Sequence, residues 1–515
     1  MRSSVPSPAA SLPALAAFGL LAGAAAAQEA LPGDCTALED LRIEDTNLLS
    51  SAVVPAKDGL PEYCRVLGYV RPAINFEVRL PTGGWNGKFY MAGCGSQCGK
   101  VEADRPGFTN APNHGLRRNY AVSTMDGGHW GASRSDTAWL QRKDPIARFD
   151  YEQRAVTATA KVTKEMIKAF YGSEPKKSYF AGCSNGGRQA NMEAWKYPED
   201  FDGIISGCPT LDASSNRVAW AWNVRTNIGP DGDPILAFSK VPMIAKAVQA
   251  ACAGEDGLVD DPNACGFRPE SLSCRGADGP DCLTAAEVEV LRKWYDGPHD
   301  SRGERIYPGV PLGSEPYWGL WLALESEKSW REDKANIEAQ LRYYYLPEDP
   351  GLGYDVANFD FDKDPQRVRR AAASGDANGT DLSKFKARGG KLLVYQGLGD
   401  AGLPPEAARL WYEDLNKAMG GETETRGFAR LLLVPGMDHC GVQAGPGVHH
   451  SGFDPLPALE RWVEEGVAPE SIVMTKTDKD GRTEWSRPVC AYPQVAKYKS
   501  SGDMRDAASW SCGTP

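Results

Sequence analysis

The sequence predicts an α/β protein whose sheet is mostly parallel, carries helices on both faces and is interrupted by one long insertion. Three observations predict this fold. Short apolar runs of strand length alternate with segments that have helical spacing of apolar residues. Several of these runs end in glycine-rich turns. A stretch of different composition, residues 210–388, separates the last two runs from the earlier ones.

The predicted strands are apolar runs, each followed by a turn or a helix. They span residues 88–92, 120–123, 178–181, 201–206, 391–396 and 430–434. Between the second and third runs, residues 151–170 have helical spacing of apolar side chains, at Ala155, Ala158, Val162, Ile167 and Phe170. Parallel strands need crossover connections, which are usually helices, so this alternation favours a parallel sheet.

The length and charge of the chain limit its class. A chain of 515 residues can bury one large core together with an inserted domain. Its net charge of -11 would repel a phosphate backbone, so we expect no nucleic-acid partner. We expect a signal peptide at 1–27, a core in two parts, 28–209 and 389–515, and a lid domain at 210–388.

The first 27 residues have the pattern of a secretion signal. Arg2 precedes an apolar run at 12–21 and a small-residue tract at 23–27, and cleavage after Ala27 would follow the A-x-A pattern. This run is too short to span a bilayer, and no other run is long enough. We therefore expect a secreted or periplasmic protein. The alternative is that the segment is an N-terminal anchor helix.

Thirteen cysteines follow the predicted signal. A cytosolic protein rarely carries so many unless it binds metal, and zinc sites usually show C-x-x-C spacing, which is absent from this sequence. Disulfides in an oxidising compartment are therefore the better interpretation. The odd number leaves one thiol over.

The insertion is rich in Gly, Pro, Asp, Trp and Tyr and holds Cys252, Cys265, Cys274 and Cys282. This composition fits a lid that forms one wall of a substrate pocket. The alternative is an insertion that only stabilises the fold. Its aromatic residues could stack on an aromatic acyl group, although we expect at least half of them in the core of the insertion. They are Tyr317, Trp318, Trp321, Trp330, Tyr343, Tyr344 and Tyr345.

One motif predicts a nucleophilic serine. Gly182-x-Ser184-x-Gly186 follows a predicted strand and precedes a predicted helix at 187–195. This is the context of a nucleophile elbow, in which small glycines allow a sharp turn that exposes the serine hydroxyl. A simple glycine turn is the alternative.

A serine hydroxyl needs a general base, and His439 is the best placed of the six histidines. It follows the last predicted core strand and a short turn, so it can reach a serine at the same edge of the sheet. His449 and His450 lie in a Gly/Pro-rich loop and are expected to be exposed. His129 sits in a glycine-rich turn and could line the pocket.

The base needs a carboxylate to fix its tautomer, and Asp400 follows a core strand and a glycine turn. Asp438 is adjacent to His439 and would point away from it. Glu422 and Glu424 lie in a polar loop and are weaker candidates. The order Ser, Asp, His is that of α/β-hydrolases, so we predict an α/β-hydrolase fold with a large inserted lid domain.

Two cysteines flank the predicted nucleophile and base. Cys183 precedes Ser184, and Cys440 follows His439. If the serine and the histidine meet, their neighbours come within disulfide range. The alternative is that each cysteine pairs elsewhere or stays reduced.

These motifs resemble the tannase and feruloyl esterase family. The matching residues are GCSNGGR at 182–188, Gly399-Asp400 and Asp438-His439-Cys440, together with 85–88 and 201–205. The resemblance implies a Cys183–Cys440 disulfide and a secreted serine carboxylic ester hydrolase. Its expected substrates are small esters of hydroxycinnamic, gallic or terephthalic acids, with feruloyl esterase-like specificity first and tannase or terephthalate monoester hydrolase specificity as the alternative.

Three functions of a different kind stay open for a chain with these motifs. One is a catalytically degenerate secreted protein that uses the same fold to bind a ligand or a carbohydrate. The second and third are a serine peptidase and an acyltransferase, which share the fold and the triad. The complete set of Ser184, Asp400 and His439 argues against the degenerate protein, because a binding module has no need of a nucleophile and its base.

The resemblance also implies an oxyanion hole made of the backbone N–H groups of Asn185 and Gly95. Family members often bind calcium in the lid, and here the matching oxygens are those of Asp256, Asp260 and the Leu258 carbonyl. These are too few for calcium, so we expect a solvated acidic turn and no required cofactor or metal, and a calcium ion bound in the lid is the alternative. We propose the remaining disulfides as Cys35–Cys64, Cys94–Cys98, Cys252–Cys265, Cys274–Cys282 and Cys490–Cys512, with Cys208 unpaired and buried.

Overall fold

A computed structural model describes residues 33–104, 111–133, 135–322, 326–342, 346, 350–351, 353–443 and 445–515. The predicted signal peptide and Tyr343–Tyr345 of the insertion lie outside these residues. Within them, nine strands form one sheet in the order β1-β2-β3-β5-β4-β6-β7-β8-β9. The strands are β1 (Thr46–Val54), β2 (Tyr63–Val70), β3 (Ile74–Pro81), β4 (Lys88–Ala92), β5 (Ala121–Met125), β6 (Lys177–Cys183), β7 (Gly203–Gly207), β8 (Lys391–Gly397) and β9 (Ala429–Val434).

The sheet is parallel from β5 to β9 and antiparallel at its other end. Strands β5, β4, β6, β7, β8 and β9 pair in parallel, as the alternation of strands and helices predicts. Strands β1, β2 and β3 pair antiparallel, and β3 joins β5 antiparallel. This antiparallel end was not predicted, because β1 is only partly buried and charged residues interrupt the apolar runs of β2 and β3.

Helices cover both faces of the sheet, which confirms the predicted α/β class. The helices are α1 (Pro112–Leu116), α2 (Pro145–Phe149), α3 (Ala155–Tyr171), α4 (Asn185–Lys196), α5 (Ala213–Thr226), α6 (Val241–Cys252), α7 (Ala285–Asp296), α8 (Glu327–Gln340), α9 (Asp364–Ala372), α10 (Ser383–Ala387), α11 (Pro405–Ala418), α12 (Glu422–Arg426) and α13 (Leu456–Glu465). Along β4, Phe89 and Met91 join the core under α3 and α4, whereas Tyr90 and Ala92 join the core under α13. This alternation is the period of two expected for a strand buried on both faces.

Two predicted local structures differ from the observed ones. The helix predicted at 151–170 begins with a π-helical turn, Asp150–Arg154, before α3. Glu422 and Glu424 do not lie in a loop, because they form the first turn of the short helix α12. Both differences concern chain segments in which apolar periodicity is weak, so no sequence pattern indicates them.

The insertion between β7 and β8 builds a core of its own around Trp294 and Trp318, which are fully buried and pack edge to face. It contains α5–α10 and two disulfides, Cys252–Cys265 and Cys274–Cys282. Tyr317 hydrogen-bonds the Gly436 carbonyl, just after β9. The insertion therefore packs against the carboxyl end of the sheet.

The C-terminal residues add two small antiparallel sheets to the described part of the chain. Strands β10 (Ser471–Thr477) and β11 (Thr483–Cys490) form one, and β12 (Val495–Tyr498) and β13 (Trp510–Gly513) form the other.

Six disulfides join twelve of the thirteen cysteines, all of which are described. The pairs are the six proposed from the sequence, and Cys208 is a buried free thiol. Among the described helices, none is long and apolar enough to cross a membrane.

Candidate active site

Ser184 stands at the turn between β6 and α4. Its backbone has φ 66° and ψ -121°, a strained conformation for a residue with a side chain. The turn is tight enough that a Cβ on Gly182 would lie 2.3 Å from the Gly186 carbonyl oxygen. A Cβ on Gly187 would lie 2.3 Å from the Gly207 carbonyl oxygen in β7. Glycine is therefore required at 182 and 187, as in a nucleophile elbow.

His439 follows β9 and hydrogen-bonds the carboxylate of Asp400, which follows β8. The distance from His439 Nδ1 to Asp400 Oδ2 is 2.7 Å. Asp400 is fully buried, and its Oδ1 accepts hydrogen bonds from the backbone N–H groups of Gly402 (3.0 Å) and Leu403 (2.8 Å). Gln396 Nε2 donates to Oδ2 at 2.9 Å. Four donors therefore fix the carboxylate, and the carboxylate fixes the tautomer of His439.

The charge of Asp400 sets the basicity of His439. Burial of the imidazole lowers its pKa, but the negative charge of Asp400 and the hydrogen bond to it raise the pKa, and the net result is above the ordinary value of 6.5. The ring of Trp321 from the insertion packs edge to face on the imidazole, with 5.0 Å between centroids. The insertion therefore covers the histidine.

A disulfide joins the neighbours of Ser184 and His439. Cys183 and Cys440 are bonded, with 6.1 Å between their Cα atoms. Ser184 and His439 both line one cavity of about 500 Å³. The free thiol of Cys208 accepts a hydrogen bond from the Cys440 N–H at 3.3 Å, and burial raises its pKa well above the ordinary value. Cys208 is therefore a protonated, packed side chain beside the disulfide.

Asn185 and Gly95 line the same cavity. Asn185 is the first residue of α4, so its N–H has no partner within the helix. In the facing turn, the Gly93 N–H bonds the Ala181 carbonyl and the Cys94 N–H bonds Gln189 Oε1. Those two N–H groups are engaged, so Gly95 and Ser96, which both line the cavity, are the remaining candidates in this turn for donating to an oxyanion.

The side chain of Asn185 is locked in place. It donates to the Cys94 carbonyl at 3.3 Å, and its Oδ1 accepts from Arg188 Nε at 2.7 Å. Arg188 in turn donates to the carbonyls of Tyr151 and Glu152, each at 2.7 Å. The start of α4 is thus held rigidly against the Cys94–Cys98 turn.

The far walls of the cavity come from the insertion. Helix α5 contributes Arg217 and Trp220, and helix α8 contributes Trp330 and Asp333. The volume of the cavity is typical of small-molecule sites. Of the aromatic residues that the sequence suggested as a pocket wall, Trp321 and Trp330 line the cavity, whereas Tyr317 and Trp318 are buried elsewhere.

Several candidate groups lie away from the triad or do not contact it. His129 does not line the cavity, contrary to expectation, because its ring is buried against Trp139 at 3.9 Å. His450 is buried rather than exposed, because its loop folds back closely on Gly441. His449 is exposed. Asp438 is buried, and its Oδ2 accepts from the Gln443 N–H at 2.9 Å.

The residues that match a calcium loop do not fit a metal ion. Arg487 of β11, whose side chain is 2% exposed, donates to Asp256 Oδ2 and to both carboxylate oxygens of Asp260 at 2.8 and 2.7 Å. The remaining Asp256 oxygen accepts from the Leu258 N–H at 3.2 Å, and the Leu258 carbonyl accepts from Gly254. Every candidate oxygen thus already faces a nitrogen donor, and a guanidinium supplies the positive charge that a cation would supply.

The sequence interpretation missed several residues of this site. It identified neither Gln396, which orients Asp400, nor the α5 residues Arg217 and Trp220. A signal exists for the latter, because Ala213, Arg217, Trp220 and Val224 recur at helical spacing and all line the cavity. No sequence pattern shows which side of such a helix faces a site.

Comparisons with known proteins agree with this geometry. The family described as "Tannase and feruloyl esterase" matches residues 60–513. An uncharacterized esterase of Xanthomonas campestris pv. campestris is 34% identical over 97% of this chain and 93% of its own length. A mono(2-hydroxyethyl) terephthalate hydrolase of Piscinibacter sakaiensis is 31% identical over 88% of this chain and 85% of its own length.

Solved structures show the same fold. Feruloyl esterase B from Aspergillus oryzae superposes with a TM-score of 0.81 and 25% identity, covering 93% of this chain and 99% of that one. The tannin acyl hydrolase from Aspergillus niger superposes with a TM-score of 0.72 and 18% identity, covering 95% and 94%. The elbow serine, the histidine–aspartate pair and these matches lead to one conclusion: the chain belongs to the tannase and feruloyl esterase family of carboxylic ester hydrolases.

Proposed function

We propose that this chain hydrolyses esters of aromatic acids through an acyl-enzyme, with Ser184 as nucleophile, His439 as general base and Asp400 as its orienting carboxylate. The observation that carries the proposal is the 2.7 Å bond from His439 to Asp400 in a cavity that also contains the strained Ser184. The Cys183–Cys440 disulfide supports it, because it couples the nucleophile and the base directly.

The reaction steps follow from the donors and acceptors in the cavity. His439 Nε2 takes the hydroxyl proton of Ser184 as the serine oxygen attacks the ester carbonyl. The N–H groups of Asn185 and Gly95 stabilise the oxyanion. His439 returns the proton to the departing alcohol, and a water molecule, deprotonated by His439, then hydrolyses the acyl-enzyme. Asp400 stays ionised and stabilises the imidazolium in each step.

The aromatic wall of the cavity supports an aromatic acyl group. The Trp321 ring packs on His439, and the Trp220 ring comes next along the wall, with 5.7 Å between the two tryptophan centroids. Flat apolar rings bind an aromatic ring by stacking and by burial of its surface. We assign the insertion at 210–388 as the lid that carries this wall and shields the bound acyl group from bulk solvent.

We further propose that the protein is secreted after cleavage near Ala27. The six disulfides support this, because such bonds form in oxidising compartments and are rare in the cytosol.

The test is Ser184→Ala against methyl ferulate, methyl gallate and mono(2-hydroxyethyl) terephthalate. We expect kcat/KM to fall by about a thousandfold or more on each substrate that the wild type cleaves. Ser173→Ala, an exposed serine in the turn after α3, is the control and should match the wild type. Activity of Ser184→Ala near the wild-type level would reject the mechanism.

A fluorophosphonate probe provides a second measurement. It should label the wild type at Ser184 and leave Ser184→Ala unlabelled. Absence of labelling in folded wild-type protein would instead indicate a degenerate hydrolase fold that only binds a ligand.

A further inference from the structure

Helix α8 presents one mixed face to the cavity. Trp330, Asp333, Ile337 and Gln340 recur at helical spacing, and all four line the cavity. Asp333 is the acidic member of this face. The exposed residue Glu332, next to it in sequence, lies on the outer side of the same helix.

The two ends of α8 lie at different depths from the reacting ester. Gln340, at its C-terminal end, approaches the Cys94–Cys98 turn, where its Oε1 lies 3.5 Å from Gln97 Nε2. Asp333 comes seven residues earlier, which at 1.5 Å per residue places it about 10 Å farther along the helix axis. Asp333 thus lies toward the far end of the cavity.

The cavity wall opposite α8 also runs toward the Asp333 end. From His439 the wall runs through the rings of Trp321 and Trp220, and the Arg217 guanidinium stacks on Trp220, 4.0 Å from its centroid. The positive charge of Arg217 acts on Asp333. An acyl group that lies along the tryptophan rings therefore extends toward the Arg217–Asp333 end.

Asp333 is suited to accept a hydrogen bond. Burial raises the pKa of its carboxyl to about 6 and the Arg217 charge opposes that shift, so the carboxylate is mostly ionised at pH 7. Among the described residues, no hydrogen-bond donor contacts it. A partly desolvated carboxylate without a donor is costly, and a hydroxyl of a bound molecule would relieve that cost.

We propose that Asp333 is a specificity-determining residue that accepts a hydrogen bond from a phenolic hydroxyl at the end of a hydroxycinnamoyl group. The assignment rests on the proposed function. An extended hydroxycinnamoyl group is longer than a benzoyl-type group, so its phenolic hydroxyl reaches farther from Ser184 toward the Asp333 end of the cavity. An acyl group that ends in a carboxylate would bring a second negative charge beside Asp333, and the single positive charge of Arg217, already shared with Asp333, offsets it only in part, so such a group is disfavoured.

The experiment compares three substrates with the full-length protein: methyl 4-hydroxycinnamate, methyl cinnamate and mono(2-hydroxyethyl) terephthalate. We expect the wild type to prefer the hydroxylated ester by about tenfold in kcat/KM, the usual effect of one hydrogen bond to a charged group. In Asp333→Ala that ratio should approach one, mainly through KM. The terephthalate monoester should gain relative to methyl cinnamate.

The ratio between two substrates in one variant is insensitive to partial loss of folded protein, so it separates specificity from stability. Glu332→Ala is the matched control and should keep the wild-type ratio. A ratio in Asp333→Ala equal to that of the wild type would overturn the assignment, and so would the absence of any gain on the terephthalate monoester. Failure of the wild type on all three esters would instead reject the proposed function.

Discussion

Arg487→Met should destabilise the insertion. The wild-type protein, in which Arg487 supplies the positive charge, should not depend on a metal ion for its stability. The guanidinium joins Asp256 and Asp260 of the insertion to β11 and stacks 4.2 Å from the Trp510 ring centroid. Methionine keeps much of the volume and removes the charge. The two carboxylates would then face each other without a cation.

The size of the effect follows from burial. Removing one partner of a buried ion pair costs about 3–5 kcal/mol, because the other charge stays desolvated. The Arg487 side chain is 2% exposed and Asp256 is 16% exposed, but Asp260 is 41% exposed and keeps much of its hydration. We therefore expect a loss at the lower end of that range, about 3 kcal/mol.

Thermal unfolding with and without EDTA measures both parts of this reasoning. The wild-type Tm should be the same after dialysis against EDTA or calcium, and Arg487→Met should unfold several degrees lower. Arg482→Met is the matched control, because that arginine is 79% exposed and its loss should leave the Tm within about a degree. A wild-type Tm that falls in EDTA and recovers with calcium would refute the inference that Arg487 takes the place of a metal ion.

Three further predictions concern the proposed active site. Cys183→Ser combined with Cys440→Ser should lower the free energy of unfolding by about 5 kcal/mol, since the bond closes a loop of 257 residues; denaturant unfolding measures it. Activity should fall as pH drops through a value above 6.5, because protonated His439 cannot act as a base and the Asp400 charge raises the pKa of His439. Asp400→Asn should reduce kcat. It should also shift the acid limb of the pH–rate profile to lower pH. Gly187→Ala should cost about 1–3 kcal/mol by overpacking α4 against β7, measured as a lower Tm.

Each of these has a control or a contradictory outcome. Unchanged unfolding of the double serine variant would mean that the disulfide adds no stability. An acid limb that stays in place in Asp400→Asn would contradict the charge effect on His439. Gly83→Ala is the control for Gly187→Ala, since a Cβ there meets no atom within 4 Å.

Residues close in sequence to a motif could be predicted, and residues joined only by the fold could not. Ser184, His439 and Asp400 were predicted to meet because each follows a buried parallel strand, and such strands end at one edge of a sheet. Arg487 could not be predicted, because it meets Asp256 and Asp260 more than two hundred positions away. Nothing in the local sequence around an arginine indicates which carboxylate it will meet.

The cavity walls show the same limit. The aromatic content of the insertion predicted a pocket wall, but only packing decides that Trp321 contacts His439 while Trp318 is buried against Trp294. The burial of His450 had no sequence signal either, because its loop is rich in residues typical of exposed turns.

The Cys183–Cys440 bond has a consequence for chain cleavage. The insertion lies between these cysteines in the sequence, so a protease cut within it divides the polypeptide but leaves both pieces covalently joined next to the proposed nucleophile and base. The protein would survive such nicking as a two-chain molecule. On a non-reducing gel it would run as one band, and on a reducing gel as two.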